Sequence, residues 1–495
     1  MAQFTAYDAE RLLRRNAFGA GALAVVAVIM GLLLFFLHAD FTWSMFVMIG
    51  FILLVFIGIS MSYAPKATLL SLIFLKPMVD QLWWFRAFGG MNFQALMGAL
   101  VPVVAFVFLF LTRNQFFLRA PMCVWVRRLC ILTGVMLLFQ HFIGNEVRMG
   151  SVAEEFRIIS GPALFFLTGW LFTEAEDMKR LGKAVIWSSV WIFIGIVVAY
   201  AIGKERFSFE HFGTNPLEGM YYHKHDLARV CTMICVFSLC FVKMTESTTA
   251  KYACYAIAAA MIVIVFSSYT RMSWIAIFLC VCFWYIWIGK WKQVLLIAPI
   301  VVVLSWGTLD EAFRKAHFDM ANPDITDPKS ISGRGMIWKA QIVGFMDMNF
   351  AEQLLGGGYN RSVGLSYEYS GIGRNAHSCI PLMLVENGII FTLIYNLLLI
   401  KLCLDAWSLR KMDDVRLKLL GALFLVGVAY FYLSGVTTNS HTYPSLTWYV
   451  WGLGGIVYRI KNFPVTAGAE EPERQTAHRF FSRSFAPAPL VRPPS

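Results

Sequence analysis

Charge is what this chain has least of. Asp, Glu, Lys and Arg together make up 15% of its 495 residues, while hydrophobic residues make up 58%. An ordinary soluble domain carries about 25% charged residues, so a soluble globular protein is excluded. Acidic residues are the scarcer sign: 30 Asp and Glu against 42 Lys and Arg leave a net charge of +12. On a chain this apolar, that excess describes loops beside a lipid surface, and nothing in it points to nucleic acid. No Cys-x-x-Cys pair occurs among the ten cysteines. Eight lie in or beside apolar runs as small hydrophobes, with Cys123 and Cys379 at run edges, so neither a disulfide framework nor a zinc site is indicated. Arg11, Arg14 and Arg15 precede an apolar run at 18–37. No small-residue cleavage site follows it, and the run is expected to remain as a span.

What the chain has instead is apolar runs approaching the roughly 20 residues that cross about 30 Å of hydrocarbon. Fourteen are found, at 18–37, 41–60, 67–85, 93–111, 123–142, 158–172, 183–202, 227–241, 252–266, 273–288, 293–306, 380–403, 417–433 and 446–458. The fold class expected is therefore an all-α polytopic membrane protein of about 12–14 transmembrane helices. The third run contains Lys76, Pro77 and Asp80, which marks either a broken helix buried in the bundle or a re-entrant element.

The distribution of basic loops tests the count. With a cytoplasmic N-terminus at 1–17, alternation places Arg113, Arg119, Arg127 and Arg128, then Lys179, Arg180 and Lys183, then Lys243 and Lys251, then Lys290 and Lys292, and finally Lys401 to Lys418, all inside. No nucleotide-binding fingerprint or P-loop lies on that side, which argues against an ATP-driven pump. The transmembrane bundle divides into a first part, 18–308, and a last part, 378–460. Between them the long polar segment 309–377 falls outside. The tail at 461–495 returns inside and is rich in Ala, Pro, Arg and Glu, a composition expected to be disordered.

The 309–377 segment reads as a folded cap carrying a site. Connections this long are uncommon unless functional or disordered, and this one holds aromatics, an amphipathic helical piece around 335–345 and a Gly-Gly-Gly-Tyr turn. Two further outer segments stand beside it, Glu218–Arg229 and the tight hairpin Ser267–Trp274. Arg271, at that hairpin, either anchors in headgroups or holds an anion. Arg334 sits between two glycines at the expected start of a helix, a combination suited to phosphate or to simple solvation. His377 stands where the cap re-enters the membrane, and can take a proton from a hydroxyl or merely pack. Glu386 and Asn387 lie inside the following span, where an ionisable group is a candidate site residue by default. Gly356–Gly358 and Tyr359 should bring backbone close to a ligand or to protein. His223, Lys224, His225 and Asp226 are consecutive, and no regular element aims all four at one metal; Lys224 as a phosphate contact fits better.

These segments resemble the family of O-antigen ligases and Wzy-type O-antigen and exopolysaccharide polymerases. The resemblance extends from about Ile158 onward and is strongest over Glu218–Gly388. GMYYHKHDLA resembles a GxFxHKNxLG pattern, with His225 in place of Asn. YTRMS resembles a T/S-R motif, ISGRGMIW a TGRxxIW element, and LLGGGYN an L-G-x-G turn. RNAHSCIPLMLVENGII resembles an AHNxxLxxLxExG ending, with Ser378 in place of Asn. The resemblance implies a C-like (GT-C-like) membrane glycosyltransferase with a large periplasmic loop, needing neither a nucleotide sugar nor a divalent metal and no cofactor. Its donor would be a glycan on undecaprenyl pyrophosphate. Arg271 and Arg334 would hold the pyrophosphate and His377 would be the general base, with inversion at the anomeric carbon. Apart from the resemblance, Lys224, His223, Tyr359 and Glu386 are expected to contact substrate. The site would face the periplasm across a bacterial inner membrane, with flippase and chain-length regulator proteins as further partners. The HKH segment favours an exopolysaccharide polymerase. A ligase transferring the glycan to lipid A-core or protein, and a multi-span lipid-linked glycan transporter, are the alternatives.

Overall fold

The protein is seen in a computed structural model that describes residues 57, 60–61, 64–82, 86–88, 91–92, 98, 101–105, 116–142, 149–202, 221, 224–268, 271–295, 334–371, 373, 378–436 and 438–463. Among these, six helices are long and apolar enough to cross a membrane, so the protein is a multi-span membrane protein. Every described element is helical except a short antiparallel hairpin, β1 (Arg86–Phe88) with β2 (Met91–Asn92).

Over Pro65–Gln81 the third apolar run is one unbroken helix, α1. Pro65 stands at its first position, where a missing N–H goes unnoticed. Pro77 is absorbed inside it, and Lys76 pairs with Asp80 one turn on, both fully buried. Charges at that depth are tolerable only when paired. Helix α2 (Pro121–Phe142) again opens on proline. Helix α3 (Met149–Leu171) starts nine residues before the apolar run at Ile158, carrying Glu154, Glu155 and Arg157 into the helix. Helices α4 (Ala175–Trp187) and α5 (Ser189–Ile202) follow, continuous in direction across Ser188.

Helix α6 (Lys224–Met244) is the centre of the bundle: 89% of its apolar stretch is buried in protein. Its neighbour α7 (Thr248–Ser267) is buried over only 28% and turns its other face outward. Helix α8 (Arg271–Trp287) comes next, and Phe266 stacked on Trp274, with the Trp274 indole donating to the Val265 carbonyl at 3.0 Å, joins the end of α7 to the start of α8.

The cap contributes α9 (Arg334–Asp347), α10 (Phe350–Leu355) and α11 (Arg361–Ser370). The expected helix at 335–345 is thus present and slightly longer. Asn349 and Glu352 close α10 with a reciprocal capping box. The chain then re-enters the bundle through α12 (Cys379–Leu382), a π-helical turn at Met383–Asn387, and α13 (Gly388–Ser408). Leu393, Leu397, Ile400 and Leu404 form an exposed apolar stripe down α13, spaced for one helix face and fitted to lipid. Helix α14 (Val415–Gly435) starts on the Asp414 cap, and α15 (Pro444–Asn462) on another proline.

Helices α3 and α15 pack along their length. Glycine makes this possible: any Cβ at Gly455 would overlap the Phe165 carbonyl, and Thr168 donates across the gap to the Gly452 carbonyl at 2.7 Å. Small residues and interhelical hydrogen bonds are the usual adhesive where the hydrophobic effect cannot distinguish lipid from protein.

Basic side chains gather at the end of the bundle away from the cap helices. There Arg416 reaches Glu176 at 3.8 Å and Asp414 at 2.7 Å, Lys66 pairs with Asp177 at 2.9 Å, and Arg410 lies over the Trp287 and Trp407 rings.

Candidate functional site

The cap end of the bundle collects the first turns of α6, α8 and α15, the last turns of α2, α7 and α14, and the whole of α9 to α12. Most of its polar contacts join residues far apart in sequence.

Asp226 lies on the first turn of α6, where a carboxylate favours the positive end of the helix. Arg229, one turn on and 1% exposed, donates to Asp226 Oδ1 at 2.6 Å and to Thr438 Oγ1 at 2.6 Å. Its guanidinium lies 3.9 Å from the Tyr443 ring centre. Thr438 and Ser434 both meet the Ser440 hydroxyl, at 3.4 and 2.8 Å. The acidic member of the His-Lys-His-Asp run is therefore engaged with an arginine that ties α6 to the α14–α15 connection.

That connection also holds the start of α12. Cys379 Sγ lies 3.2 Å from His441 Nδ1, and the Cys379 side chain closes against Gly435. Burial pushes His441 down to about 3, so its imidazole is a neutral hydrogen-bonding group and not a charge carrier.

The Gly-Gly-Gly turn is packed against protein, and its partner is the π-helical turn. Gly357 donates to the Val385 carbonyl at 2.8 Å and Gly358 to the Glu386 carbonyl at 3.1 Å. A π-turn sets one residue out of the regular ladder and releases carbonyls for such contacts. Gly356 and Gly388 face each other with φ of 87° and 76°, backbone that side chains rarely adopt. Ser362, at the start of α11, donates to Glu386 Oε1 at 2.5 Å. Gln341 crosses from α9 to the Ser366 hydroxyl at 3.0 Å, and Phe345, Met348, Leu365 and Val385 form a small core beneath the cap.

The expected site residues distribute as follows. His377 and His223 lie outside the described residues. Arg271, Arg334 and Lys224 are the first residues of α8, α9 and α6, placed by their backbone. Their helices are neighbours: α6 packs on α8 and α14, α8 on α14, α12 on α14, and α9 on α12. Ser378, next to His377 in sequence, is the residue before α12. Glu386 is buried and serves α11 through Ser362. Tyr359 is 40% exposed at the turn, and partial burial beside Glu154 raises its phenol above the ordinary tyrosine range, so it remains protonated.

Four side chains belong to this end that the sequence reading did not single out: Gln140, Glu155, Arg229 and His441. A signal existed for one of them. Glu154 and Glu155 form an acidic pair one turn before an apolar run, a place where carboxylates need a reason. Glu155 is buried, and burial, then Glu154 and Glu386, push its carboxyl up to about 8.

The class defined by this geometry is a multi-span membrane protein with a folded polar cap and a buried polar cluster at one end. Residues 256–396 match the family model described as O-Antigen ligase. That stretch takes in Arg271, Arg334, Tyr359, His377 and Glu386, and links this part of the chain to the O-antigen ligase and Wzy-type polymerase family. No curated protein matches the chain.

Proposed function

We propose that the protein is a membrane glycosyltransferase that polymerises undecaprenyl-pyrophosphate-linked repeats into an exopolysaccharide or O-antigen at the periplasmic face of a bacterial inner membrane. The supporting observation is the coincidence of two independent facts. The family match covers Arg271, Arg334 and His377, and the helices that Arg271 and Arg334 open both lie at the cap end, opposite the basic loops. Basic loops mark the cytoplasmic side, which puts the cap outside.

The chemistry follows from the residue types. Arg271 and Arg334, each opening a helix whose N-terminus adds partial positive charge, hold the pyrophosphate. His377 takes the proton from an acceptor hydroxyl of a second lipid-linked repeat. The acceptor oxygen bonds to the anomeric carbon, the bond from that carbon to the pyrophosphate oxygen breaks, and undecaprenyl pyrophosphate leaves with the electron pair. Direct displacement inverts the anomeric centre. Fixed guanidinium groups stabilise charge that grows on the leaving group, the step where preorganised cations help most. Lys224, the first residue of α6, is on the same end, and it and its sequence neighbour His223 are assigned to substrate.

The description of the matching family model supports a second reading, transfer of a finished glycan to lipid A-core or protein. Purified protein given defined lipid-pyrophosphate-linked repeats separates the two. A ladder of products without any other acceptor is expected for a polymerase. Product only when a core acceptor is added would assign the ligase reaction instead, and no transfer in either mixture would refute both.

A further inference from the structure

Outside the family-matched stretch, the last turn of α2 and the first turns of α3 supply polar side chains to the cap end. Glu154 is accounted for, since Arg157 donates to it at 2.8 Å. Glu155 and Gln140 are not. Glu155 is 4% exposed and Gln140 is 2% exposed, yet Glu155 Oε2 and Gln140 Nε2 have no hydrogen-bond partner among the described residues. The two lie near enough for the amide to influence the carboxyl. Native proteins leave few buried polar groups unpaired, and here one acceptor and one donor stand together.

The glycine turn and a second carboxyl close in around them. Gly358 backs onto Gln140 so closely that a Cβ there would lie 2.5 Å from the amide carbon, and the turn therefore fixes where the amide sits. Glu386, held by Ser362, contributes a second carboxyl near Glu155. The partly exposed Glu154–Arg157 pair and the exposed Tyr359 lie close to one another and to Glu386.

We propose that Glu155 and Gln140 floor a binding subsite for an uncharged, hydroxyl-rich sugar of the glycan, with Tyr359 at its rim. A carboxyl and an amide side by side match two adjacent sugar hydroxyls, one donating to Glu155 and one accepting from Gln140. The Tyr359 ring offers the flat surface on which the C–H face of a pyranose rests. The Gln140 amide and a Glu155 carboxyl that burial holds protonated carry no charge to offset a uronate, so the subsite selects neutral sugars over uronic acids. Among the described residues, the guanidinium groups of Arg157 and Arg361 nearby are already engaged, by Glu154 and Glu368. The proposal deepens the glycan-transfer reading and rests on it for its ligand class.

The test uses the full chain in nanodiscs and free glycosides, so that it does not depend on turnover. Methyl glucoside, galactoside and mannoside are titrated against methyl glucuronide, with binding read by saturation-transfer NMR. At least one neutral hexoside should bind about tenfold more tightly than the glucuronide, the factor expected for one hydrogen bond to a charged or buried partner. Glu155→Gln and Gln140→Leu should each weaken that hexoside by about tenfold. Should either variant fail to fold, Tyr359→Ala at the exposed rim is read in its place and should also weaken binding. Wild-type affinity in the folded variants, no hexoside binding by the wild type, or binding of calcium or magnesium in place of sugar would overturn the proposal. Ladder synthesis from the lipid-linked repeats, run in parallel, reports separately on the polymerase reading: ladders with no glycoside binding would remove the subsite alone.

Discussion

Gly356→Ala probes the joint between cap and membrane bundle. Gly356 has φ 87° and ψ 152°, a region essentially reserved for glycine, and an alanine held there costs about 1–3 kcal/mol. Its Cβ would also overlap the Glu386 carbonyl oxygen and lie 2.6 Å from the Glu386 carbonyl carbon, which is backbone and cannot swing away. Forcing extra volume into a packed site adds about 1–3 kcal/mol. The total is roughly 2–6 kcal/mol from one methyl group. Two other glycines separate the contributions. Gly371 has φ 69° but nothing within 4 Å of the added Cβ, so Gly371→Ala bears only the left-handed backbone term, about 1–2 kcal/mol. Gly134 lies within α2 with nothing within 4 Å, so Gly134→Ala should be neutral or stabilising by up to about 1 kcal/mol. The assay is the apparent melting temperature of the three variants in one detergent, with cap cleavage by protease as a local readout. Gly356→Ala should melt lowest by a wide margin and expose the cap to protease. If it melted with the wild type, or above Gly371→Ala, the packing of the glycine turn on the π-helical turn would be wrong.

Four further outcomes are expected. A probe cysteine at Ser330 should label in cells with a permeabilised outer membrane, and one at Ser408 should not; the reverse pattern would invert the membrane orientation. Arg271→Lys and Arg334→Lys keep the charge but lose the planar fork, so polymer synthesis should fall severely at matched protein level; near-normal synthesis by either would remove that arginine from the anion site. His377→Ala should slow transfer by about 10²- to 10⁴-fold while donor binding stays close to wild type; equal loss of binding and rate would make it a donor contact instead. Asp226→Ala leaves the Arg229 guanidinium buried without its carboxylate and should destabilise by about 3–5 kcal/mol in thermal unfolding. Adding Arg229→Met should recover most of that loss, and a double variant no better than the single would mean that the pair is not what matters there.

Legible in the chain alone were the membrane class, the apolar run at 67–85, a helix around 335–345 and the single end on which the basic loops collect. Hydropathy, charge and periodicity are sums along the chain, and those features need no knowledge of what lies across from them. The sequence also marked Gly356–Gly358 as a point of close approach, because three successive glycines have few other uses. What approaches was decided only by tertiary structure: the carbonyls of Val385 and Glu386, exposed by a π-turn that the pattern of Met383–Asn387 does not announce. The same holds for Asp226, which reads locally as part of a His-Lys-His-Asp run. Its arginine is joined to Thr438, more than two hundred residues on, by the packing of α6 beside α14. Helix α3 began at Met149 and not at Ile158 because polar residues continue a helix readily when protein, not lipid, covers them. That early start is what carried Glu155 to Gln140 and Glu386. Pairings between buried polar groups depend on which helix faces meet, and that information exists only once the helices are packed.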